Sequence, residues 1–380
     1  MININELLRS TGINEGNFIS GDIFLIKLIK DIGFLAIILL SLSSIMYTGK
    51  FPKSYFFLPF CLLLLGFPVF ISIENTGVLH ILAGLRWSLP LFLFIFLHDS
   101  IDERFMNRVS YFVFAILSLN TLFQVIELWY MPHYQGDTYF NLAARVPGMF
   151  SHAHSCSSFI CLSYLIIDEF ARKEVIRKTG QILSIIGVVL SMSSTGMICL
   201  ITMMYLKVIR KWKYYTVLIL LIPLVVLSVY NYADLLTNRG EGSSEISIST
   251  RGMYFMDGLY STGLISKTFG YAVNLTSMLA EQNFIKTSAA DAFYASFLIN
   301  MGILYFLLLI IFLLFIAIKA QIKKNVFMVN VIILYGLFSF SVVVTEVFPM
   351  NLFIALFISY FIKKNHESNN FYIVRCGIRN

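Results

Sequence analysis

Charge is scarce in this chain: Asp, Glu, Lys and Arg together make up 13% of its 380 residues, about half the share found in a soluble domain. So few ionised groups cannot cover the surface of the two or three soluble domains that length alone would allow. Cysteine is equally thin. Cys61, Cys156, Cys161 and Cys199 stand in apolar stretches and Cys376 near the C-terminus, with neither CxxC nor metal-ligand spacing, so no disulfide framework and no metal site is implied. The N-terminus lacks the succession of basic region, apolar run and small-residue cleavage site. No removable signal peptide is expected, and targeting falls to the first hydrophobic helix. A P-loop is missing as well, and no other nucleotide site is visible.

What is present is apolar: 58% hydrophobic residues and a mean hydropathy of +0.79. Runs long enough to span roughly 30 Å of hydrocarbon fall at 28–47, 55–73, 78–97, 109–130, 153–168, 180–194, 196–209, 215–231, 291–318, 326–345 and 348–362. These predict an all-α, polytopic integral membrane protein of about eleven helices, a single transmembrane domain over 1–380. The sixth and seventh runs are short and separated only by Ser193, Ser194 and Thr195, a spacing that also fits one bent hairpin or a re-entrant element.

Basic residues set the orientation, because the cytoplasmic side carries their excess. One set of alternate connections holds 19 Lys and Arg: Lys50, Lys53, Arg104, Arg108, Arg172, Lys173, Arg177, Lys178, Lys207, Arg210, Lys211, Lys213, Lys319, Lys323, Lys324, Lys363, Lys364, Arg375 and Arg379. The other holds 5, namely Arg145, Arg239, Arg251, Lys267 and Lys286. The long connections near 131–152 and 232–290 therefore face outward, and the C-terminus is cytoplasmic. The net charge of +7 is distributed as topology signals are, which argues against a nucleic-acid partner. In the 232–290 loop, Tyr254, Phe255, Leu259, Tyr260, Leu264, Ile265 and Phe269 fit the apolar stripe of a helix lying on the membrane, so a folded, helical outer cap is expected.

Scarce outer cations single themselves out. Arg145 precedes Val146-Pro147-Gly148, a turn-forming sequence that fixes its approach to the next helix. A guanidinium there suits a phosphate beside a low-dielectric phase, or snorkels to the interface. Arg251 stands in Ser249-Thr250-Arg251, as a second cation for the same ligand or a solvated loop residue. Arg86 lies within the third run, where a charge is costly unless it faces partners or water; a salt bridge is the structural alternative. His152 and His154 at the mouth of the fifth run are candidate general bases, or cap its helix. Asp291 is another candidate base and an equally good helix cap. Ser191, Ser193, Ser194 and Thr195 offer hydroxyls near the outer face that bind sugar or phosphate, or serve helix packing.

Four tracts, taken in order, resemble landmarks of the O-antigen polymerase and O-antigen ligase superfamily. They are Arg145-Val-Pro-Gly148-Met-Phe-Ser-His152-Ala-His154; Leu190-Ser191-Met-Ser193-Ser194-Thr195-Gly196; Ser249-Thr250-Arg251 with Phe269-Gly270-Tyr271; and Asp291-Ala-Phe-Tyr294 through Asn300-Met301-Gly302. Two departures are visible. Thr195 stands near the place of the arginine in the family's Ser-Arg pair. Ala289-Ala290-Asp291 replaces the histidine that ligases carry before their closing helix, which favours the polymerase branch.

The resemblance implies glycosyl transfer on the outer face of a bacterial inner membrane, with no need of a nucleotide sugar or soluble cofactor. The donor would be a growing glycan on undecaprenyl diphosphate, and the acceptor a hydroxyl of the next lipid-linked repeat unit. Arg145, Arg251 and Arg86 would neutralise the leaving diphosphate, while His152, His154 or Asp291 takes the acceptor's proton. Partners would be the undecaprenyl-diphosphate-linked oligosaccharide, membrane lipid and a chain-length regulator protein. A ligase-type transferase is the alternative within the family. A flippase for the same lipid-linked sugars is the alternative outside it, disfavoured because no internal repeat is visible.

Overall fold

Long apolar runs in lipid have few ways to satisfy their backbone polar groups, and the helix is the one a single segment can adopt alone. The structure, a computed structural model, describes residues 19–49, 53–97, 101–130, 146–150, 153–209, 255–256, 258–260, 262–272, 292–323, 325–347 and 349–376. Regular structure among them is entirely helical. In chain order come α1 (Ile19–Thr48), a 3-10 turn (Lys53–Phe57) leading into α2 (Leu58–Ser72), α3 (Val78–Phe92), α4 (Phe94–Leu97), α5 (Glu103–Tyr130), α6 (Ala153–Phe170), α7 (Glu174–Ser191), α8 (Ser194–Ile209), α9 (Phe293–Met301), α10 (Ile303–Ile322), α11 (Val326–Phe338) and α12 (Met350–Cys376). The expected span at 215–231 lies outside the described residues.

Among the described residues, four stretches are long and apolar enough to cross a membrane: Tyr55–Ser72, His80–Leu97, Glu103–Trp129 and Ile303–Ile322. Ile32–Tyr47, Ser194–Lys207 and Val326–Phe338 are shorter apolar helices. On α10, Leu307, Leu308, Ile311, Phe312, Leu314, Phe315 and Ile318 all point outward, and only Tyr305 and Ala320 are buried. That is the reverse of a water-facing helix, whose outer side is polar, and it is the pattern of a side chain surface solvated by lipid. Helix α2 likewise exposes Phe60, Leu62, Leu63, Phe67 and Phe70.

The core forms around α6, which is buried on nearly every side and packs against α5, α7, α8, α11 and α12. Its end near Asp168 is stapled to its neighbours. Asp168 Oδ1 accepts from Gln181 Nε2 of α7 at 2.6 Å and pairs with the ammonium of Lys207 on α8. Helices α7 and α8 are separate elements joined at Met192 and Ser193. The chain reverses there because Met192 adopts a left-handed conformation (φ 49°) and its N–H returns to the Val189 carbonyl.

Two sequence expectations change. The run 291–318 is broken into α9 and α10 at Gly302 (φ 97°), because Ile303 and Leu304 N–H groups donate to the Gly263 and Leu264 carbonyls instead of continuing one helix. The apolar stripe expected from Tyr254 to Phe269 is not one surface helix either. Helical backbone occurs at 255–256 and 258–260, but 262–272 is an irregular strap drawn into the bundle, with Phe269 fully buried while Tyr260 and Leu264 stay exposed.

Candidate functional site

On α5, Asn120, Gln124 and Glu127 occupy positions four and three residues apart on one face of an otherwise apolar helix. Asn120 and Gln124 are fully buried, and buried amides cost several kcal/mol unless they find partners. Their partners are the turn that enters α6. Gln124 Nε2 donates to the Val146 carbonyl at 2.9 Å and to the Gly187 carbonyl at 3.0 Å. Asn120 Oδ1 accepts from Met149 N at 3.0 Å, and Glu127 Oε2 accepts from Gly148 N at 2.8 Å. Val146 N in turn donates to the Leu190 carbonyl at the end of α7.

Gly148 is required at this turn. Its φ is +61°, and a Cβ there would lie 2.7 Å from Asn120 Oδ1 and 2.8 Å from Gln124 Cγ. The turn is thus held on one side by α5 and on the other by α7. Arg145 precedes it in sequence and His152 follows it; both lie outside the described residues, as do Arg251 and Asp291.

His154 is described, on the first turn of α6. Its Nδ1 lies 3.3 Å from Ser193 Oγ, and the same hydroxyl accepts from Gly196 N, capping the start of α8. Ser191 Oγ is committed to the Val188 carbonyl of its own helix. Ser194 Oγ is buried with no hydrogen-bond partner. The serine tract therefore serves in part to cap and pack helices, and it orients His154. Removing the Ser193 hydroxyl by Ser193→Ala is expected to lower stability by about 1 kcal/mol, the usual worth of such a cap. Denaturant titration of the purified protein measures it, and an unchanged midpoint would refute the capping role.

Arg86 is half-buried on α3, two residues beyond Gly84. Against Gly84 lies the strap 262–272, held by a dense set of bonds. Phe269 N donates to Ser72 Oγ, and that hydroxyl donates to the Ser266 carbonyl. Gly270 N and Ala272 N both donate to Asn300 Oδ1 of α9, while Asn300 Nδ2 and Ser296 Oγ donate to the Ala272 carbonyl. Gly270 (φ +90°) sits flush on α3, where a Cβ would meet the His80 carbonyl. The Tyr271 ring stacks on His80 with centroids 4.4 Å apart.

Described parts of the tracts singled out in the sequence thus pair in space. Val146 and His154 meet Leu190 and Ser193, and Gly270 meets Asn300. Asn120 and Gln124, which hold the first pair, were missed in the sequence. Their signal is legible there, as polar residues recurring on one face of the apolar run 109–130. Among the described residues no three His, Cys, Asp or Glu side chains gather as metal ligands. No protein-family model, curated protein or solved structure matches this chain.

Proposed function

We propose that the protein is a membrane glycosyltransferase of the O-antigen polymerase kind, spanning a bacterial inner membrane about eleven times with its C-terminus in the cytoplasm. It transfers a growing undecaprenyl-diphosphate-linked glycan onto a new lipid-linked repeat unit at the outer face. The observation that carries this reading is the anchored turn Val146–Phe150. Arg145 stands immediately before it in the sequence, in a chain where outer cations are scarce. The pairing of the landmark tracts in space adds weight.

In this reaction the acceptor hydroxyl forms a bond to the anomeric carbon of the donor glycan as the bond from that carbon to the diphosphate oxygen breaks. The lipid diphosphate departs with the bonding pair, neutralised by Arg145, Arg251 and Arg86. The hydroxyl proton passes to His152, His154 or Asp291. His154 is suited to the task because it stands on the first turn of α6 with Nδ1 3.3 Å from Ser193 Oγ, which orients a ring able to take a proton near neutral pH.

Deleting the gene in its native host and resolving the surface glycan by size tests the proposal. Lipid A core bearing a single repeat unit, restored to full-length polymer by the wild-type gene, is the expected result. Full-length polymer retained on undecaprenyl diphosphate would mark a ligase, and absence of glycan from the outer face a flippase.

A further inference from the structure

Helix α8 begins with more donors than acceptors. Ser193 Oγ accepts from Gly196 N at 3.3 Å, and the Ser193 carbonyl accepts from Met197 N at 2.9 Å. The N–H groups of Ser194 and Thr195, the first two residues of the helix, find no acceptor among the described residues. No acidic side chain stands in the first turn. The positive end of a 16-residue helix therefore has no carboxylate of its own to complement it.

A side chain at the same end also lacks a partner. Ser194 is 3% exposed, and its hydroxyl makes no hydrogen bond, although burying a hydroxyl unpaired is costly. Every Cα–Cβ bond of a helix tilts toward its N-terminus, so a hydroxyl on the first residue is carried toward the two unpaired N–H groups. Around this end Met192, Thr195 and His154 are half-buried, which leaves it open to a ligand. Its position is fixed by α6, because Gly196 packs so closely that a Cβ there would lie 2.5 Å from Ser157 Cβ. His154 Nδ1 is 3.3 Å from the capping hydroxyl of Ser193.

Donors gathered at the positive end of a helix without an acceptor among them select an anion, and phosphate is the anion such ends hold best. We infer that the start of α8 binds a phosphate of the lipid-linked diphosphate, whose oxygens accept from Ser194 N, Thr195 N and Ser194 Oγ. Lys207, in the last turn of α8, belongs to the cytoplasmic set of basic residues, which turns the first residue of the helix outward. The inference rests on the reading above for the identity of the ligand. The anion site itself rests on α8.

The test uses the full chain purified in mild detergent, followed by thermal unfolding as ligand is added. Undecaprenyl diphosphate is expected to raise the midpoint, and undecaprenol, which has the tail without the anion, is not. Inorganic diphosphate separates the sources: no shift supports the lipid-linked group, and an equal shift overturns that assignment in favour of free diphosphate. Ser194→Ala is expected to weaken apparent affinity about ten- to a hundredfold, the usual effect of removing a hydrogen bond to a charged group. Its midpoint without ligand should be unchanged or higher, since the hydroxyl has no partner to lose. Ser194→Pro also removes the N–H at a position that suits proline, and is expected to abolish the response. Ser184→Ala, whose hydroxyl bonds only within α7, is expected to respond as wild type does. The inference is overturned if both Ser194 variants respond like wild type, if Ser184→Ala loses the response as they do, or if undecaprenol matches the diphosphate. A wild-type protein indifferent to undecaprenyl diphosphate also overturns it. Binding that depends on Ser194, beside a normal surface glycan in the deletion strain, would uphold the site and refute the proposed reaction.

Discussion

Alanine at position 148 is expected to destabilise the protein by about 2–5 kcal/mol. A left-handed backbone costs a residue with a Cβ roughly 1–2 kcal/mol, and crowding a packed site adds about 1–3 kcal/mol. Both apply, because Gly148 has φ +61° and its missing Cβ would press on Asn120 and Gln124. These two side chains cannot step aside without breaking their own bonds to Met149 N, the Val146 carbonyl and the Gly187 carbonyl. A matched comparison is Gly66→Ala within α2, where nothing lies within 4 Å and helix propensity favours alanine by up to about 1 kcal/mol. Denaturant unfolding of both variants should show a large loss for the first and none for the second. Equal midpoints would mean that the turn tolerates displacement, and the anchored-turn argument would fail.

Arg145→Ala is expected to reduce polymer formation by about a hundred- to a thousandfold, the usual effect of removing a group that stabilises developing anionic charge, while protein abundance stays at the wild-type level. Arg145→Lys should recover part of the rate, since it restores the charge but not the planar fork that holds two phosphate oxygens together. Polymer length on lipid-linked repeat units in membranes, normalised to protein, measures both. The two substitutions separate chemistry from scaffold: Gly148→Ala lowers abundance and activity together, whereas Arg145→Ala lowers activity alone. A fully active Arg145→Ala protein would remove this residue from the site.

Apolar run length made most helices legible. The runs 55–73, 78–97, 153–168 and 326–345 begin within a few residues of α2, α3, α6 and α11, because hydrocarbon leaves a segment little choice but helix. The break at Gly302 was not legible, since its cause is the backbone of Gly263 and Leu264, remote in sequence. The stripe from Tyr254 to Phe269 misled for a related reason. Aromatic residues at helical spacing also suit a strap that buries some of them and exposes others, and what decides is Ser72, Gly84 and Asn300 on other helices. At the site, Gly148 was legible as a turn residue, but its clamp needed Asn120 and Gln124 to be read as a pair facing one partner. Arg145, His152, Arg251 and Asp291 lie outside the described residues.

The strap carries a consequence for how the chain is made. Its bonds to Ser72 join residues 194 and 197 positions apart. At about 5–20 residues per second of synthesis, α2 and α3 wait roughly 10–40 s for the segment that closes over them. Throughout that interval the Ser72 hydroxyl and the groove at Gly84 lack their final partners. A newborn chain is therefore vulnerable in its first hairpin until its last third emerges, and nonsense mutations ahead of residue 262 should yield fragments that proteases clear even though their spans have already inserted.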